Sequence, residues 1–147
     1  MMLTIGKKQY EAKTNFKFEK LADKKYRNTE KELSGLESIY QDLLSFKSSA
    51  LVAFWDCATA HYKKEQPIID DIEDALEQLI ESDESEVDRL FKEAFKSLDE
   101  SGFFRKQLNE FWKNLDIAEK MADNEKELKQ IQTAKKMYKD KRKELLA

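Results

Sequence analysis

Residues that break helices are almost missing from this chain: glycine stands only at positions 6, 35 and 102, and proline only at 67. Glycine and proline are the residues a helix interior tolerates least, so their scarcity over 147 residues leaves long stretches in which nothing local forbids a helix. Charged residues make up 39% and aromatic residues 11% of the chain, a combination that favours helices packed around aromatic and aliphatic stripes. The expected class is mainly α, a compact multi-helix bundle with a short N-terminal β-hairpin and a C-terminal helical extension.

The hairpin is read from the first residues. Leu3 to Ile5, then Gly6-Lys7-Lys8, then Gln9 to Ala12 form two short runs around a turn, with Ile5, Tyr10 and Ala12 as inward candidates. Such a pair is marginal alone and needs a body to lie on. Asn15 can cap a first helix, whose apolar contacts would come from Phe16, Leu21 and Tyr26. Residues 28–34 are a polar break. From Gly35 onward Leu36, Ile39, Tyr40, Leu43 and Leu44 fall at helical spacing. After an interruption at 45–49, Ser48 or Ser49 can cap a helix with Leu51, Phe54, Trp55, Ala58 and Tyr62 on one face and Asp56, Lys63 and Lys64 pointing away. This is expected to be the most buried helix.

Pro67 suits a helix start, and the acids that follow, Asp70, Asp71, Glu73 and Asp74, suit its positive dipole end. Ile69, Ile72, Leu76, Leu79 and Ile80 give that helix its apolar side. Beyond a break at 82–85, Val87, Leu90, Phe91, Ala94, Phe95 and Leu98 draw a clean stripe. Gly102 is placed to end that helix in a left-handed cap. The next helix carries Phe104, Leu108, Phe111, Trp112 and Leu115. The stripe then fades into Glu125, Lys126 and Lys129, so a domain of residues 1–115 is expected, with 116–147 a charged helical or partly disordered extension. In that extension Ile131, Tyr138 and Leu145 recur every seven residues, but the complementary positions Lys135 and Arg142 are charged, which argues against a self-paired coiled coil.

Charge and segment composition exclude whole classes of partner. Basic and acidic residues number twelve and eight over 1–64, three and fourteen over 65–101, and twelve and eight over 102–147. The acidic middle would repel a polyanion and the basic ends are mixed in sign, so no nucleic-acid partner is expected. No segment has the roughly 18–20 uncharged apolar residues that span a bilayer, so no membrane partner is expected. The first residues do not resemble a secretory signal, and one cysteine forms no internal disulfide, which together suit a reducing cytosol.

The only cysteine and the only histidine, Cys57 and His61, are helical neighbours. A reactive thiol gains from a helix N-terminus, whereas Cys57 lies mid-helix among Trp55, Ala58 and Ala60, so a packed thiol is expected. One His and one Cys do not make a zinc site, and the acids of 83–88 lack the spacing of a calcium loop. No phosphate loop, dinucleotide fingerprint or nucleophile elbow is present. No catalytic residue, metal or cofactor is therefore expected. Phe103 and Phe104 are adjacent and cannot share a helix face, and Trp112 stands at the edge of its stripe. With Ile131 and Tyr138, these rings are the candidates for contact with a partner protein or a second copy of the chain.

Three stretches, LTIGKKQYEAKTNFKF, ALVAFWDCATAHYKKEQP and LFKEAFKSLDESGFFRKQLNEFWKNL, together resemble the tail assembly chaperones of long-tailed bacteriophages and prophages of Gram-positive hosts. The resemblance runs in order over most of residues 1–115 and leaves out the tail after Leu115. It is an ensemble of core and turn residues with no catalytic signature. It implies a non-enzymatic protein of the host cytoplasm that binds the tape measure protein, keeps it soluble and helps the major tail protein polymerise around it. It implies absence from the finished virion. It also implies that a frameshifted longer form contacts the major tail protein, this chain being the shorter form. The competing readings are a helical protein-interaction module of unrelated role and a small hydrolase built on Cys57 or a carboxylate pair.

Overall fold

A computed structural model describes all 147 residues. Strands β1 (Met2–Ile5) and β2 (Lys8–Glu11) pair antiparallel, with Leu3 opposite Tyr10 and Ile5 opposite Lys8. Gly6 takes a φ of 61°, the sign a two-residue hairpin turn needs at its first central position. The hairpin has its body to lie on: the Glu11 N–H donates to the Tyr62 hydroxyl at 2.8 Å and the Lys13 N–H to the Ala58 carbonyl at 2.9 Å. Ile5 and Ala12 pack against the core and Tyr10 is buried, as expected, but Leu3, left out of the inward set, is the most buried residue of the pair.

Seven helices follow: α1 (Phe16–Lys25), α2 (Gly35–Leu44), α3 (Ser48–Ala58), α4 (Ile69–Ser82), α5 (Glu86–Asp99), α6 (Arg105–Lys120) and α7 (Glu125–Leu146), with a 3-10 segment, Ala60–Glu65, after α3. Asn15 caps α1 by accepting from the Phe18 N–H. That start sets the phase of the helix, so Phe18 and Ala22, four apart, face the core, and Phe16, expected inside, is 67% exposed. Ser34 and Glu37 close a reciprocal capping box at α2, and all five of its expected apolar residues are buried.

Two local expectations are corrected. Neither Ser48 nor Ser49 caps α3, whose N-cap is Lys47 without a side-chain bond. Gly102 is not left-handed; α5 ends at Glu100 and the chain turns through Ser101, whose carbonyl accepts from the Phe104 N–H. The left-handed cap lies instead at Phe46, φ 54°, where the Lys47 N–H reaches the Asp42 carbonyl and the Phe46 N–H the Leu43 carbonyl. This is a Schellman closure of α2 with phenylalanine in the usual glycine place. Phe46 is held there by its edge-on contact with Phe91 and by Lys141 over its ring.

Eight of the eleven residues of α3 are buried, which makes it the central helix, in contact with α1, α2, α4 and α5. One of the eight corrects the sequence reading. Asp56, expected to point away, is 2% exposed. It accepts from Lys25 Nζ at 2.9 Å, from the Tyr26 hydroxyl at 2.7 Å and from Gln66 Nε2 at 3.0 Å. A buried carboxylate persists only where donors replace its water, and here they come from the end of α1 and from the residue before Pro67. The same bonds tie α1, α3 and the approach to α4 together.

Residues 116–147 complete α6 and form α7, which runs back along α6 and packs on α5, α6 and α2. Leu145 is 1% exposed within the main core, and Tyr138 and Leu146 pack against it. Two of the three residues of the every-seventh pattern, Tyr138 and Leu145, are thus used within the chain.

Candidate functional site

The side of the bundle where α7 crosses α2, α5 and α6 gathers the densest set of polar and aromatic contacts. Tyr40, on α2, is fully buried with its ring stacked on Phe95 at 4.9 Å and edge-on to Phe111 and Trp112. Its hydroxyl donates to Asp99 Oδ1 at 2.6 Å and accepts from Trp112 Nε1 at 2.9 Å. Burial, then the bond to Asp99, pushes the Tyr40 phenol well above its ordinary range, so it remains a donor. Asp99 lies at the last turn of α5, its side chain 6% exposed, and accepts from Arg142 of α7 through two nitrogens, each at 3.2 Å. The guanidinium also lies 5.3 Å from the centre of the Trp112 ring. Four helices are therefore clasped by Tyr40, Asp99, Trp112 and Arg142.

A second, more exposed clasp stands, along α7, about two turns nearer the α6–α7 connection. Lys135 reaches Asp116 at 2.5 Å and Glu119 at 2.8 Å, and Gln132 donates to Glu119 at 3.3 Å. Hydrogen bonds from Lys135 hold both carboxylates below their ordinary range. Their contribution to docking is therefore present above that range and lost as pH falls through it. Between the two clasps runs an open groove of about 690 Å³, walled by Trp112, Asp116 and Glu119 from α6 and by Lys135, Lys139 and Arg142 from α7. A groove with these walls can hold a peptide side chain, but it assembles no nucleophile beside a base.

The five residues expected at a partner surface separate into different roles. Phe104 is withdrawn from the surface: it is fully buried against Phe18, so it serves the core. Phe103 points outward, 45% exposed, with its ring edge-on to that of Phe16 at 4.5 Å, which makes an exposed aromatic pair at the junction of α1 and α6. Trp112 is half-buried in the clasp, and Ile131 and Tyr138 are half-buried on α7. What sequence reasoning missed is the polar half of the site, Tyr40, Asp99 and Arg142. The available signal was a tyrosine in an otherwise aliphatic stripe, whose buried hydroxyl needs a partner.

Cys57 and His61 do not form a reaction centre. The thiol is buried, and burial followed by the neighbouring Asp56 carboxylate pushes it far above the ordinary thiol range. His61 lies beyond the end of α3, in the 3-10 segment, where its ring packs on Tyr62 at 4.3 Å. A thiol reagent at neutral pH is expected to label native Cys57 no faster than the protein unfolds, at least 100-fold slower than in denaturant, on the order expected when attack needs an exposed thiolate. Fast labelling of the folded protein would restore a reactive thiol.

No helix is long and apolar enough to cross a membrane. Comparison with curated proteins and with solved structures returns no match. A family model described as phage tail assembly chaperone protein, TAC, matches residues 2–113, the hairpin and α1 through most of α6. The match covers the buried stripes of α2, α3 and α5 and the whole of the clasp except Arg142. With most of the chain inside it, this protein belongs to the phage tail assembly chaperones, a non-enzymatic family acting with tail proteins during assembly.

Proposed function

We propose that this chain binds the tape measure protein, keeps it from aggregating, and helps recruit major tail protein subunits around it in the host cytoplasm, without remaining in the finished virion. The observation that carries the reading is the family match across the bundle of residues 2–113. The surface supports it: a long helical client exposes apolar stripes, and stripes of that kind are covered by grooves between helices or by exposed aromatic rings. The Phe16–Phe103 pair is one such surface. The shallow groove where Leu51 and Val52 of α3 meet Leu76 and Ile80 of α4 is another. Several copies on one client would hold it by avidity even where each contact is weak.

The proposed organisation is a chaperone domain of residues 1–115 and an extension of residues 116–147. Phe103, Trp112, Ile131 and Tyr138 are proposed as contact residues, for a client or for another copy of the chain. A frameshifted longer product would supply the contact to the major tail protein, and the overlapping reading frame at the end of the gene shows whether it exists. Co-expression with the tape measure protein of the same genome tests the main reading. The client is expected to become soluble and to carry several copies of this chain, counted from the mass of the complex. An insoluble client and no complex, with this chain folded, would leave a helical interaction module of other purpose.

A further inference from the structure

The covering of the clasp is a helix that the bundle holds by few apolar contacts. Of the 22 residues of α7, Leu145 enters the core and Tyr138 and Leu146 pack against it; its polar hold is Arg142 on Asp99 and over Trp112, Lys135 on Asp116 and Glu119, Gln132 on Glu119, and Lys141 over Phe46. The family match stops at residue 113, before α7 begins. Of the surface beneath α7, Tyr40, Asp99 and Trp112 lie within the matched residues, whereas Asp116, Glu119 and α7 itself lie beyond them.

We propose that α7 covers, within the chain, the face of α2, α5 and α6 on which the client helix docks, and that the client binds by displacing it. This rests on the client-binding reading above and specifies its site. The chemistry of the client follows from what the covered face presents to α7. Lys135, Tyr138, Arg142 and Leu145 are spaced by three, four and three residues, so they share one helix face. The covered face answers the two bases with Asp116, Glu119 and Asp99, and takes the two apolar residues against the main core. A fitting client is an amphipathic helix with basic residues seven apart, each followed three residues later by an aromatic or aliphatic one.

The connection of four residues between α6 and α7, 121–124, lets a largely polar cover suffice. A short tether gives a helix an effective concentration on the order of millimolar at its own site, so α7 stays docked in the absence of client. A client with a fuller apolar seam competes, and its apparent affinity is reduced by the fraction of chain that is closed. The cover thus keeps that face from pairing with the wrong helix.

The test uses the full chain in three forms. One is unaltered. One is opened by Arg142→Ala with Leu145→Asp. One is locked by Glu119→Cys with Gln132→Cys, joined by a short bis-maleimide, buried Cys57 being inaccessible to it, with the unjoined double-cysteine chain as its reference because Glu119 is itself a groove acid. Affinity for the co-expressed tape measure protein is expected to rise about tenfold on opening and to fall about tenfold on locking. A synthetic peptide of residues 125–147 is expected to displace the client from the opened form. If opening by two substitutions unfolds the chain, Arg142→Ala alone and the locked form carry the same contrast. Equal capture by the joined and unjoined double-cysteine forms overturns the proposal and leaves the client-binding reading standing. Capture by none of them overturns that reading as well. An opened form that self-associates with no gain in client capture also overturns the proposal, in favour of α7 docking between copies.

Discussion

Gly35→Ala is expected to destabilise the protein by about 3 kcal/mol or more, the cost of forcing an atom into a filled interface. Gly35 is the first residue of α2 and sits against the backbone of α1. A Cβ there would lie 2.0 Å from the Ala22 carbonyl carbon and oxygen and 2.6 Å from the Asp23 nitrogen. These are backbone atoms fixed by their own helix, so no side chain can swing aside and the two helices must separate. Separation also strains the bond from the Gly35 N–H to Asp23 Oδ1, now 3.0 Å. Helix propensity alone predicts the opposite sign, a gain of about 1 kcal/mol for alanine over glycine. Thermal unfolding distinguishes the two, with a fall in Tm of roughly 6–12 °C expected for a chain of this size. Gly102→Ala is the control, since a Cβ there meets nothing within 4 Å, and it should stay within about 0.5 kcal/mol of the parent. A neutral or stabilised Gly35→Ala would mean that α1 and α2 do not approach this closely.

Asp99→Ala is expected to cost about 3 kcal/mol and to release α7. The substitution removes a carboxylate that accepts from Tyr40 and twice from Arg142. Charge-assisted bonds of this kind contribute about 1.5–3 kcal/mol, and a buried donor left without an acceptor costs about 1–3 more. Tyr40 is such a donor, since its hydroxyl then keeps only the bond it accepts from Trp112. Arg142 is partly exposed and can return to water, which keeps the total below that of a fully buried ion pair. Asp99→Asn retains an acceptor for Tyr40 while losing the charge for Arg142, so it should cost about half as much on the same reckoning. Urea unfolding measures the difference, and amide exchange along 125–146 reports the release. Unchanged protection of α7 in Asp99→Ala would mean that Leu145 and Tyr138 hold the helix without the clasp.

The stripes of α2 and α5 were legible in the sequence because each is a single-faced pattern whose phase depends only on spacing. The hairpin was legible because Gly6 falls between two short runs. Elsewhere a shift of one or two residues decided the outcome. Asn15 as cap fixed α1 so that Phe18 rather than Phe16 turned inward. Gly102 looked like a left-handed cap, but that conformation went to Phe46, where Phe91 and Lys141 hold the ring. Of the candidate site, Trp112 could be found as an aromatic at a stripe edge and Tyr138 from its recurrence every seven residues with Ile131 and Leu145. Their polar partners could not.

By itself the sequence determined the helical class and the order of the elements, because missing breakers, caps and apolar spacing act within a turn or two of the chain. It also determined that Cys57 would be packed, since its neighbours in the same helix are apolar. Only the tertiary structure decided which charges go inside. Asp56 is buried because Lys25 and Tyr26, about thirty positions away, reach it, and Asp99 because Arg142 does from forty-three. The C-terminal helix was settled in the same way. Its bases read as solvated until the fold set acids opposite them, because the cost of burying a charge depends on partners that spacing along the chain does not reveal.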